Sequence, residues 1–225
     1  MGKHLFLCPT LLLIFCMSCT KKEEVYMFIE GGPEFSYDYR PLNDSLSLSD
    51  SRINLKVSTD PKFDTLYVMI NGDTLSPYDI SDYQAQFSHI IEPEFIKYNL
   101  RIESDIGSAT ATCPMPEPFK IIKPRQPIQS GSDCEIIWHR SKNAQRYRVL
   151  LALNYNDLFF FKAITTKDTS VTIESSFFAK PDGLVEICIS AINDVEMDED
   201  NGNIKGNGIG YWSGKLTINE SLDIE

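Results

Sequence analysis

The chain has 225 residues, 42% of them hydrophobic and 11% aromatic, enough apolar surface for a packed core, which excludes a wholly disordered polypeptide. With 32 acidic against 21 basic residues the formal net charge is −11, a field that repels phosphate backbones and excludes nucleic acid as a partner class.

The first element in chain order is a leader. Lys3 and His4 give a short basic start, and Leu5 to Phe15 is apolar except for Cys8, Pro9 and Thr10. This run is shorter than the roughly 20 apolar residues that span a bilayer. It stops at Ser18-Cys19 and the charged Lys21-Lys22-Glu23-Glu24, so residues 1–18 read as a signal peptide. The junction Cys16-Met17-Ser18-Cys19 resembles a bacterial lipobox, although Cys16 stands where Leu is usual. The resemblance implies that Cys19 is lipidated and that residues 19–24 are a tether. Acyl chains, at about 0.8 kcal/mol for each buried CH₂, would then hold the chain on a membrane without a spanning helix. Lys22-Glu23-Glu24 resembles the export signal of Bacteroidetes-type surface lipoproteins. That likeness implies the outer membrane, with the cell surface favoured over the periplasmic face.

From Val25 onward, short alternating apolar runs are punctuated by Gly, Pro, Asn and Asp, the rhythm of an all-β sandwich. Strands are predicted at 25–30, 53–57, 65–70, 73–76, 84–91, 98–103 and 109–113. They suit one immunoglobulin-like sandwich over residues 25–113. Asn71-Gly72 marks a type I′ hairpin, because both residues tolerate positive φ. A second hairpin sets Tyr98, Leu100 and Ile102 against Ala109, Ala111 and Cys113. Pro114, Pro116 and Pro118 then remove ladder donors, and residues 114–123 read as a proline-rich, semi-rigid linker.

In the second half, Cys134-Glu-Ile136-Ile-Trp138 is followed by Ala144-Gln-Arg-Tyr147-Arg-Val149, then by runs at 168–173, 183–193 and 208–213. This stretch resembles a fibronectin type III domain, with Val185 standing where a tyrosine is usual. The likeness implies a second β-sandwich over residues 124–219, with Trp138 and Tyr147 in its core and residues 220–225 as a tail. The fold class is therefore all-β, two tandem sandwiches after a lipoprotein leader. Cys134 alternates inward and Cys188 outward, so no disulfide between them is expected, and Cys113, Cys134 and Cys188 read as free thiols.

Chemistry-bearing motifs are sparse. Beyond the leader the histidines are His89 and His139, neither beside a recognisable nucleophile, and no phosphate loop or nucleophile elbow occurs. A non-enzymatic chain without a resident cofactor is expected. Asp194, Glu196, Asp198, Asp200 and Asn203 alternate as oxygen donors in one acidic loop and form a weak calcium candidate; the EF-hand pattern fails at Gly202 and lacks a closing glutamate. Phe159, Phe160 and Phe161 cannot all point to one face of a strand, so at least one faces outward. They could cover an interdomain junction, the favoured reading, or meet a protein or glycan partner, a role also open to Tyr37 and Tyr39 in the long first loop. The functional expectation is a lipid-anchored envelope protein serving binding, adhesion or structure. Its rivals are a glycan-binding accessory of an outer-membrane uptake system and, less favoured, an enzyme accessory or hydrolase.

Overall fold

The computed structural model describes residues 26–40, 44–93, 97–155, 158–180, 182–193 and 204–225. Among these the chain is all-β apart from a 3-10 turn at Ser175–Phe178. Alternation decides which side chains go inward. In β2 (Ser45–Asp60), Ile53, Leu55 and Val57 are buried, with less buried residues between them, as expected for a strand with one face on a core.

The two hairpins form as the turn chemistry requires. β3 (Leu66–Ile70) passes into β4 (Asp73–Leu75) through Asn71 and Gly72, whose φ values are 51° and 98°. β7 (Tyr98–Ser104) pairs with β8 (Gly107–Cys113), placing Leu100 opposite Ala111 and Ile102 opposite Ala109. These strands, with the short β15 (Lys205–Gly206), make a five-stranded sheet. A three-stranded sheet joins β9 (Ile121–Lys123), β10 (Cys134–Trp138) and β13 (Ser170–Ile173).

Both small sheets lie against one nine-stranded sheet. Its path is β12 (Leu158–Thr166), β11 (Arg146–Tyr155), β14 (Gly183–Asn193), β17 (Gly214–Ile224), β1 (Tyr26–Arg40), β2, β6 (Gln84–Ile90) and β5 (Asp79–Ser81), with β16 (Gly208–Trp212) paired to β1. Phe35 meets Tyr98 edge to face across one sandwich, with ring centroids 6.0 Å apart. Trp138 meets Tyr147 at 5.3 Å across the other. No disulfide joins the described cysteines: Cys113 and Cys134 are buried and Cys188 is half-buried.

Several sequence-based boundaries need correction. The long first loop is instead strand: β1 runs to Arg40, and its alternating Phe35, Tyr37 and Tyr39 are buried. Tyr37 and Tyr39 therefore do not form an outward aromatic patch. The 114–123 segment is not a solvated linker, because Met115, Pro116, Phe119 and Ile121 are buried and its end forms β9. Residues 220–225 are not a tail: β17 continues to Ile224, where Leu222 and Ile224 fill core positions. Finally, the two sandwiches are not consecutive segments. β16 pairs in parallel with Met27–Gly31, and β17 pairs in parallel with Glu34–Asp38 while also pairing with β14. Gly32 permits this exchange of partners along one edge of β1, and Gly31 permits the close approach of the Asn54 carbonyl of β2 on the other. The φ values of Gly31 and Gly32 are +144° and +159°, and a Cβ on Gly32 would overlap the Ser213 carbonyl between β16 and β17. Only a residue without a Cβ allows so close a backbone approach.

Candidate functional site

β12 ends the nine-stranded sheet, with β11 as its only partner among the described residues. Its sequence, Leu158-Phe-Phe-Phe-Lys-Ala-Ile-Thr-Thr166, is strongly β-forming and holds one charge, Lys162. Register assigns the faces. Phe160 lies opposite Leu153, itself opposite Val185, so these three share the core-facing side. Phe159 lies opposite Asn154, itself opposite Leu184, and Phe161 lies opposite Ala152; these occupy the outer side.

The edge position exposes both faces. Phe159 is 62% exposed, Phe161 66% and Phe160 45%, with Leu158 and Leu184 also exposed. The Phe159 and Phe161 rings lie nearly parallel, centroids 6.5 Å apart at 12°. Close by, the Lys180 ammonium sits 4.7 Å from the centre of the Tyr155 ring. Exposed apolar edge strands are a template for pairing and are normally blunted by charges, proline or a covering element. Among the described residues, β12 has none of these beyond Lys162. The favoured reading, in which the three phenylalanines cover a junction, is corrected: all three are exposed at the sheet margin, Phe159 and Phe161 on the outer side and Phe160 on the core-facing side.

Of the remaining sequence candidates, His89 and His139 alone lie among the described residues. Cys19 lies outside the described residues, as do Asp194, Glu196, Asp198, Asp200 and Asn203. His89 and His139 are both exposed, one on β6 in the first sandwich and the other just after β10 in the second.

One site was missed by sequence reasoning. In β17, Leu216, Ile218, Leu222 and Ile224 face the core, and Glu220 occupies the slot between them at 2% exposure. Neither Oε1 nor Oε2 has a hydrogen-bond partner among the described residues. Burial pushes the carboxyl up to about 7, partly offset by the nearby Arg125. Glu220 lines a pocket of about 700 Å³ with Tyr39, Asp38, Arg40, Arg125 and Asp223. The Tyr39 hydroxyl is committed to Asp44, donating at 2.9 Å, and Asp44 also receives the Lys120 ammonium at 2.6 Å. Arg125 donates through Nε to the Ile122 carbonyl at 3.1 Å. The readable signal was an acid at an inward position of an apolar alternation, concealed by ending the second sandwich at residue 219.

No family model and no curated protein matches the chain. Among solved structures it is similar to the chicken CNTN1 FN1-FN3 domains at 12% identity and a TM-score of 0.25, over 84% of this chain and 66% of that one. The chain thus spans just under two thirds of that fragment. At this score the likeness carries no weight, and the sandwich architecture rests on the strand pairing described above.

Proposed function

We propose that this chain is a non-catalytic binding module of a bacterial cell envelope. Lipidated Cys19 tethers it to the outer membrane, surface-exposed, and the open edge of β12 docks an extended segment of a protein partner. The observation that carries this reading is the combination of a backbone edge that pairs with no strand among the described residues except β11 on its other side, and Phe159, Phe160 and Phe161 exposed along it. Strand addition uses such edges: the ladder supplies affinity, and alternating side-chain contacts supply selectivity.

Site-specific photo-crosslinking in cells tests the docking. A benzophenone side chain at Phe159 or Phe161 is expected to capture a discrete partner, while one at exposed Tyr67, on β3, captures none. Phe159→Ser with Phe161→Ser should weaken the captured complex at least about tenfold, the scale of truncating aromatic anchors. Equal capture from all three positions would remove the reading.

The near-parallel Phe159 and Phe161 rings favour a second reading, stacking against sugar faces. Retention on a glycan array that disappears in Phe159→Ala and Phe161→Ala would select it over a protein strand.

The address has its own test. Protease added to intact cells should strip the wild-type chain from the surface, and Cys19→Ala should release the protein into the medium. A Cys19→Ala chain that stays membrane-bound would defeat the lipid tether.

A further inference from the structure

The pocket around Glu220 lies apart from the β12 edge and does not figure in the docking reading. Its defining feature is a carboxylate held in an apolar row of β17, opposite Ile187 on β14, with both oxygens closed off and unpartnered among the described residues. A buried carboxylate without a donor is costly, and a donor that also carries positive charge offsets most. Among the described residues, the chain's own groups do not supply one. From β1, Tyr39 gives its hydroxyl to Asp44; Lys120 is paired with that same Asp44; β14 offers only Ile187 across the ladder. Arg125 is near enough to favour ionisation of Glu220, yet it is exposed and bonded to the Ile122 carbonyl. The mouth is mixed in charge, with Asp38 and Asp223 beside Arg40 and Arg125, while the chain as a whole is strongly acidic and draws cations.

We propose that this pocket is a binding site for a small organic cation, a primary ammonium or guanidinium, whose charged head displaces the Arg125 side chain and pairs with Glu220. A volume of about 700 Å³ accommodates a ligand of ordinary metabolite size. Pairing with the cation ionises Glu220, so binding expels the carboxyl proton wherever that proton is held beforehand.

Titration calorimetry of the purified chain with agmatine, which carries both head groups, tests this. At about pH 6 each agmatine should release close to one proton, visible as a dependence of the heat on the buffer's ionisation enthalpy; at about pH 8 release should nearly vanish and affinity should rise roughly tenfold. Glu220→Gln should weaken binding at least about tenfold and erase the pH dependence. Arg125→Gln, which removes the competing internal cation, should bind agmatine at least as tightly as wild type. The proposal fails if wild type shows no binding at about 10 mM agmatine, if Glu220→Gln binds like wild type, or if Arg125→Gln abolishes binding.

Discussion

Replacing Ile102 by Ala will shift unfolding of the opposite sandwich as far as it shifts its own. Ile102 is fully buried on β7 in the five-stranded sheet, and an Ile→Ala cavity costs about 3 kcal/mol. The chain's two tryptophans make the comparison direct. Trp212 reports the first sandwich, where its Nε1 donates to the Tyr98 carbonyl at 3.2 Å. Trp138 reports the second, packed on Tyr147. Were the sandwiches independent beads, Trp138 would be blind to Ile102. They share β1, whose Gly31 side of the strand runs beside β16 and whose later residues run beside β17, so losing the first sandwich strips β17 of a neighbour that the second depends on. In single-tryptophan backgrounds, Trp138→Phe and Trp212→Phe, Ile102→Ala should lower the urea midpoint by the same amount, about 1.5 M for a domain of this size. A Trp138 midpoint that stays fixed while the Trp212 midpoint falls would refute the shared sheet as the unit of cooperativity.

Strand interiors were legible because burial in a sheet alternates with period two, and Val68-x-Ile70 or Leu100-x-Ile102 announces itself within five residues. Turns were legible where chemistry is local, as at Asn71-Gly72. The length of β1 was not, since Gly31-Gly32-Pro33 reads as a break, and only the close approach of the Asn54 carbonyl to Gly31 and of the Ser213 carbonyl to Gly32 explains glycine there. Nor was the pairing of β1 with β17. It joins positions as far apart as Asp38 and Asn219, 181 residues distant, and no local pattern records a partner so remote. The same blindness produced the linker and the tail: Pro114-Met-Pro116 looks solvated until Met115 is seen buried, and Leu222-x-Ile224 looks like a terminus until β14 is seen beside it. Phe159–Phe161 was half-legible. Three consecutive aromatics forced at least one outward, but that all three are exposed follows from β12 being the last strand of its sheet, a fact of topology.

Glu220 supplies the other large effect, and its sign is opposite to that of most carboxylates. Its folded value of about 7 stands above the ordinary 4.5 because burial disfavours the charged form. Between those values the folded chain keeps a proton that the unfolded chain has released, so stability falls as pH rises across that window and levels off above it. The full difference is roughly 3 kcal/mol. Glu220→Gln has no charge to bury, so it should match wild type at about pH 4, pull ahead progressively through about pH 5 to 7, and exceed it by about 3 kcal/mol at about pH 8 in urea unfolding. Arg125→Gln should deepen the wild-type decline, because it removes a group that favours the ionised form. Equal urea stability of Glu220→Gln and wild type at both ends of this range would mean that the Glu220 oxygens are satisfied in solution. The same buried acid would then have no need of a ligand, and a single substitution measured against pH decides whether β17 carries an unmet charge through the middle of the sheet.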